Sequence, residues 1–234
     1  MTSRKQISDK PNFWIELGSK NKMALLNNAH VDARWLQGFD RQSTEEMDFH
    51  VSSTETVKAN MMKVTGYFMI SRHHDLGVNM IKLPFKNERG YLLIVLTDDL
   101  KPANYISENA LKIWTGRTYT REYITLYFPK FELSSALDLI PTLRKMGIVN
   151  LFSKADLSGI SEEIDNVSMM YQKIQININE QGVSANNSSI AVDNAIIKQS
   201  DNKEEPKVFR VDHPFVFGIL YDDLSLIFGH IFRL

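Results

Sequence analysis

His73, His74 and Asp75 are three metal-ligand side chains in consecutive positions. Adjacent residues on an extended segment point to opposite faces, so one ion cannot readily use both imidazoles, and the triplet reads as a solvated turn. Asp98 with Asp99 and Glu204 with Glu205 form carboxylate pairs. A glycosidase needs one such carboxyl kept neutral by an apolar pocket, whereas pairs at a strand end or in a polar loop are simply hydrated. The chain has no G-x-G-x-x-G, no G-x-x-x-x-G-K-[ST] and no G-x-S-x-G, so phosphate cradles and nucleophile elbows lack their residues. With no cysteine there is also no thiolate nucleophile, disulfide or cysteine-ligated metal centre. No catalytic residue, metal or cofactor is assigned, and the chain is read as a non-enzyme. Asn166, Asn186 and Asn187 each open an Asn-X-Ser triplet, which carries no meaning without secretion.

The elements that would position any site come from composition and periodicity. Across 234 residues, 43% are hydrophobic and 24% charged, the balance of an ordinary globular chain with a sizeable core. Twenty-seven basic against 28 acidic residues leave a net charge of -1, which gives no global field to gather nucleic acid or anionic lipid. The polar amino terminus lacks the apolar core of a secretory signal, and no stretch approaches the length of a membrane span. Cytoplasmic location is therefore the expectation, with extracellular location left open.

Residues 14–36 combine a short amphipathic start with an apolar run at 23–26 that reads as a buried strand. Residues 61–96 are extended pieces separated by turn-type residues at 73–75 and 86–90, with 91–96 apolar on both faces. In 122–133, Ile124, Leu126 and Phe128 share one face, and Pro129 predicts a bulge or an edge. Asp138 is placed to cap a short helix with Pro141 in its first turn, Leu143 and Met146 facing inward and Gly147 ending it. Residues 173–180 alternate again, with Ile174, Ile176 and Ile178 on one face, and the pattern stops at Gly182. Residues 183–207 read as a long exposed loop, a length that inside a compact domain is usually functional or disordered. Residues 208–220 and 224–232 read as two apolar strands joined by a hairpin at Tyr221, Asp222 and Asp223.

A long loop followed by Phe209-Arg-Val-Asp-His-Pro-Phe-Val-Phe217 and Leu226-Ile-Phe-Gly229 resembles the serpins. Further matches follow in family order: Asn28 and Ala29 with Trp35 and Phe39; Met61 and Met62 with Gly66 and Phe68; and Leu83-Pro-Phe85. Phe128-Pro-Lys-Phe131, Leu143 with Met146-Gly-Ile148, Leu151-Phe-Ser153 and Ala155-Asp-Leu-Ser-Gly-Ile160 complete the series. The form of residues 211–215 is similar to viral, poxvirus-type serpins. The resemblance implies a single α+β domain over 1–234, of mostly antiparallel sheets with a few helices and an exposed reactive-centre loop at 183–207. It also implies a family signature at Asp212, His213, Pro214 and Phe215. In this family a target protease cuts the loop, which then inserts as a new central strand of the large sheet and drags the acyl-linked protease with it. By the resemblance the slot lies between the strand near residues 23–35 and the strand at 173–180. The hinge is then Glu180, Gln181 and Gly182, with Val183, Ser184 and Ala185 opening the loop.

Two departures from the family pattern bear on function. The match begins near the helix before the third strand of the large sheet, so the amino-terminal helices and first strands have no counterpart and the fold is expected to be truncated. After Gly182 the family favours threonine and then small residues, whereas this chain has Val183-Ser-Ala-Asn-Asn-Ser-Ser189, whose amides suit a buried strand poorly. Gln172 stands where the family has a histidine. The family spacing places the scissile region near Ala195, Ile196 and Ile197, while Ile190-Ala-Val-Asp193, followed by Asn194, resembles a caspase substrate. The expected function is that of a serpin-class protein that binds a host protease or other host protein without trapping it. An active suicide inhibitor of a serine or caspase-like cysteine protease is the alternative, and a decayed serpin without activity a further one. The partners expected are proteins, with no nucleic acid and no membrane, and with self-association through an exposed sheet edge.

Overall fold

The computed structural model describes residues 3–6, 14–17, 22–87, 89–101, 105–110, 113, 118–184 and 205–234. In chain order the first strands are β1 (Ser3–Gln6), β2 (Trp14–Leu17), β3 (Lys22–His30), β4 (Ala33–Arg34), β5 (Glu45–His50) and β6 (Thr56–His73). Then come β7 (Val78–Pro84), β8 (Gly90–Thr97), the helical turn α1 (Tyr105–Glu108), β9 (Thr120–Pro129), β10 (Phe131–Asp138) and the helix α2 (Ile140–Lys145). The last strands are β11 (Asn166–Asn179), β12 (Gly182–Ser184), β13 (Lys207–Arg210), β14 (Phe215–Tyr221) and β15 (Leu224–Ile231). The chain divides into two compact units, Met1–His30 with Leu133–Gln175 and Val31–Glu132 with Ile176–Leu234.

In the first unit β1 and β2 pair antiparallel, so residues 14–17 are a strand and not an amphipathic start. β3 runs parallel to β11 from the pair Lys22 and Asn166 to the pair His30 and Gln175, with one irregularity between Val167 and Met169. The slot expected between these strands is therefore closed along this stretch by direct hydrogen bonding. β11 begins at Asn166, seven residues before the alternating stretch that marked it, because pairing with β3 holds its less regular start extended. Asp138 Oδ1 accepts from the Ile140 N–H at 3.0 Å, Pro141 sits in the first turn of α2, and Gly147 follows with φ of 91°. Met146, expected to face inward, is 72% exposed, and α2 buries no residue, since six residues are too few to present a full apolar stripe.

The second unit is organised by β6, an 18-residue strand. Its first part pairs with β5, its middle with β9 and its end with β7, in a sheet ordered β13-β9-β6-β7-β8-β14-β15. Alternation sets its burial: Met62, Val64, Phe68 and Ile70 point to the core, and on β9 the fully buried Phe128, Leu126 and Ile124 stand opposite Met62, Val64 and Gly66. Residues 92–95 on β8 are likewise fully buried, as the unbroken apolar run predicts. Four phenylalanines, Phe128, Phe131, Phe215 and Phe217, meet edge-on or tilted at ring separations of 5.9 to 6.1 Å.

Three boundaries differ from the sequence reading, each because the chain changes neighbours. Residues 122–133 break at Lys130: β9 pairs with β6, whereas β10 borders β11, and Pro129 cannot donate to continue a ladder. Residues 208–220 split into β13, parallel to β9, and β14, antiparallel to β8, with Val211 to Pro214 crossing between them. Residues 183 and 184 belong to β12, and Lys207 already opens β13, so the loop loses both ends. The hairpin at Asp222 and Asp223 forms as expected, with φ of 47° and 62°, the left-handed pair that matches strand twist. Arg89 grips Asp222 from the neighbouring turn.

Truncating the aromatic cluster should be costly. Phe215→Ala is expected to lower stability by about 3–5 kcal/mol, measured as the shift in urea midpoint at constant slope.

Candidate functional site

Gly182, Val183 and Ser184 form β12, which lies between Asn177 to Asn179 of β11 and Ala33 and Arg34 of β4, antiparallel to both. The first loop residues are thus already a strand inside the sheet, not part of an exposed loop. Glu180 and Gln181 make the two-residue turn that reverses β11 into β12. The turn is pinned from outside: the Trp35 N–H donates to the Gln181 carbonyl and the Phe39 N–H to the Glu180 carbonyl, both at 2.9 Å. Trp35 is 2% exposed, stacks on Phe85 at 5.4 Å and donates its indole N–H to the Asn179 carbonyl at 2.9 Å.

Gly182 is required by contact. A Cβ there would lie 2.0 Å from the Ala33 carbonyl oxygen and 2.8 Å from Arg34 Cα, and both are backbone atoms that cannot swing away. Val183 is fully buried and Ser184 2% exposed, so the strand has no solvent face at its start.

Glu180 is a buried carboxylate at this turn, 5% exposed. Lys130 Nζ approaches Oε2 at 3.2 Å and Oε1 at 3.4 Å, and the Thr44 hydroxyl donates to Oε1 at 3.0 Å. Burial pushes the Glu180 carboxyl up, but donation from its own N–H, from Lys130 and from Thr44 outweighs this and holds it below the usual carboxylate range. Neither Lys130 nor Thr44 was legible as a partner, since they stand 50 and 136 residues away in the chain.

The family signature forms a second node. His213 Nε2 donates to the Thr97 carbonyl at 2.8 Å, and Nδ1 lies 3.0 Å from Asp212 Oδ1. The His50 N–H donates to the Asp212 carbonyl at 2.7 Å, and Phe215 is fully buried. Burial raises the Asp212 carboxyl, while the hydrogen bond and charge of His213 pull it down, with a net lowering. Pro214 follows in the crossover. Ala185, Asp193, Asn194, Ala195, Ile196 and Ile197 lie outside the described residues. No helix among the described residues is long and apolar enough to cross a membrane.

β12 beside the buried Glu180 turn and the crossover at Asp212 to Pro214 are the two places where the resemblance read from the sequence puts a serpin's hinge and signature. The family described as serpin (serine protease inhibitor) matches residues 6–234, and the chain belongs to it. Among its relatives, human protein Z-dependent protease inhibitor is 29% identical over 92% of this chain and 48% of its own length. Antichymotrypsin-2 of Bombyx mori is 29% identical over 93% and 63%, and bovine serpin A3-3 is 30% identical over 92% and 52%. The chain spans about half the length of the curated relatives it matches. Among solved structures, Serpin48 of the insect Tenebrio molitor superposes with a TM-score of 0.76 at 30% identity, covering 89% of this chain and 55% of that one. A serpin from Schistosoma mansoni gives 0.77 at 24% identity over 94% and 58%, a likeness of fold.

Three tests follow from the turn. Gly182→Ala should expel β12 from its place beside β4, read as faster amide exchange in a peptide spanning 176–184. The Glu180 contribution is present above the unfolded carboxyl value near ~4.3 and is lost as pH falls through its lower folded value. Wild type should therefore lose protection at 176–184 on acidification below about pH 4, whereas Glu180→Gln should show little change there. Lys130→Met, which strands the carboxylate, should cost about 1–3 kcal/mol at neutral pH.

Proposed function

We propose that this serpin-family chain works as a protein-binding modulator that does not trap a protease covalently. Residues 211–215 support a place among poxvirus-type members. A single domain over 1–234 is supported by a family match that runs through both units. The observation that carries the reading is the register of β12. Val183 and Ser184 are both buried, so both faces of the strand's start are covered; a propagated strand would carry Asn187 onto the face of Val183 and Asn186 onto that of Ser184. An unpaired Asn187 carboxamide there costs about 1–3 kcal/mol, and insertion would also have to break the parallel ladder between β3 and β11. Both slow the step that must outrun deacylation.

The alternative, a suicide inhibitor, has its own support. β12 is already lodged between β11 and β4, so insertion would extend an existing strand instead of nucleating one. The relatives named as protease inhibitors favour the same reading.

The expected outcome with trypsin, chymotrypsin, elastase or caspases is no higher-mass band surviving boiling in detergent. A band that is lost when residues 185–204 are replaced would overturn the proposal. First cuts in limited proteolysis should map within 185–206, the expected loop less the ends that β12 and β13 take up, and cutting there should leave the melting temperature nearly unchanged. A rise of tens of degrees, far beyond the few degrees that about 1 kcal/mol produces, would show that insertion is productive.

A further inference from the structure

Along one edge β6 lies beside β9, and along the other it changes neighbours. β5 pairs with that second edge over residues 56–61 and β7 takes it up at Met69, so among the described residues no strand borders 62–68 there. Residues 35–39 cover part of the gap: the Leu36 N–H donates to the Pro84 carbonyl at 2.8 Å, and Gln37 Nε2 donates to the Thr65 carbonyl at 2.7 Å. Gly66 makes room for this, because a Cβ there would overlap the Gln37 carboxamide. What stays open is a cavity of about 390 Å³, inside the range of small-molecule sites. Trp35, Phe39, Phe68 and Leu83 line it as buried side chains. Tyr67, Tyr123 and Arg121 line it too and are in part exposed. The Arg121 guanidinium sits 4.7 Å from the Tyr67 ring centre, and the two tyrosine rings lie 5.1 Å apart.

We propose that this cavity is a binding site for a small aromatic carboxylic acid. The walls select the body of the ligand. Five of the lining side chains are aromatic, which suits a flat ring in offset or edge-on contact, and Leu83 and Pro84 add apolar surface. The charge selects the head. Arg121 is the one ionic side chain lining the cavity among the described residues, and it forms no ion pair among them. A guanidinium resting on a ring keeps its N–H edge available for a forked pair with a carboxylate. One cation beside apolar walls matches one negative charge, since a second would be desolvated without a partner. The carboxylates nearest in sequence are engaged elsewhere: Glu122 holds Arg72 and Lys207, and Asp40 accepts from the Gln42 N–H and the Ser43 hydroxyl. Glu45, Glu46, Asp48 and Asp212 line a separate cavity, with Tyr127 and Arg210, near the other end of β9. The inference stands apart from the loop and from whether the chain traps a protease.

The test titrates the full chain with naphthylacetate, its neutral amide and octanoate in a calorimeter. Naphthylacetate should bind one-to-one and about tenfold tighter than either of the others, the gain that one charge-assisted pair supplies. Its margin over the amide should shrink as salt rises. Arg121→Gln, changed at an exposed side chain, should retain the melting temperature and bring the acid down to the affinity of the amide, while the amide binds as before. Arg210→Glu should leave all three affinities as they are. The proposal is overturned by an absence of saturable binding, by equal affinity of acid and amide, by octanoate binding as tightly as naphthylacetate, or by an Arg121→Gln variant that binds like wild type. It is overturned equally by a loss of affinity in Arg210→Glu that matches the loss in Arg121→Gln, which would place the acid in the other cavity.

Discussion

At Gly182 two backbones approach so closely that no side chain fits between them, and the arrangement around the hinge depends on that approach. Because β12 can reach β4, the turn at Glu180 and Gln181 is drawn in among Trp35, Phe39 and Lys130. Because the turn is drawn in, its carboxylate is buried and must be paired. The indole of Trp35 covers the junction and uses its one donor on the Asn179 carbonyl, so the lid over the turn is itself satisfied.

The sheet that supports this junction gains its rigidity from one long strand. β6 is bordered by three neighbours along its length and carries alternate residues into a core of phenylalanines and branched side chains. Over residues 63 to 69 the odd-numbered side chains are partly or wholly exposed while the even-numbered ones are buried, as period-two alternation requires, whereas Ala59, Met61 and Ser71 of the same parity are buried. The signature residues work differently: His213 and Asp212 tie the crossover between β13 and β14 to Thr97 and His50, which fixes where the chain leaves the loop's far end.

Two opposing terms meet at β12. The strand already in place lowers the barrier to lengthening it, and the burial of both Val183 and Ser184 raises the cost of an asparagine on either face beyond them. The first term is built into the backbone geometry at Gly182, and the second into side chains farther along the loop. A protein can therefore keep the family's hinge and still lose the rate that trapping requires, because rate depends on residues the hinge does not contact.

Periodicity made much of the second unit legible. Ile124, Leu126 and Phe128 face the core as their alternation implies, 92–96 is buried on both faces with Tyr91 half-buried before it, and Asp222 with Asp223 turns the final hairpin. These are local properties, set by strand pleat and by the φ angles that aspartate tolerates. The family too was legible, through short motifs in a fixed order. What the sequence could not show was which distant segment each strand would join. Lys130 and Thr44 are unremarkable residues until folding brings them to Glu180, and Val183 and Ser184 read as loop because nothing in their own spacing announces β4. The helix at residues 140–145 was found from its caps, yet its expected inward Met146 lies in solvent, since a cap specifies where a helix begins but not what covers it. Local pattern determined the elements and the family; only the tertiary structure decided their neighbours, because pairing, burial and charge compensation depend on residues brought together from far apart in the chain.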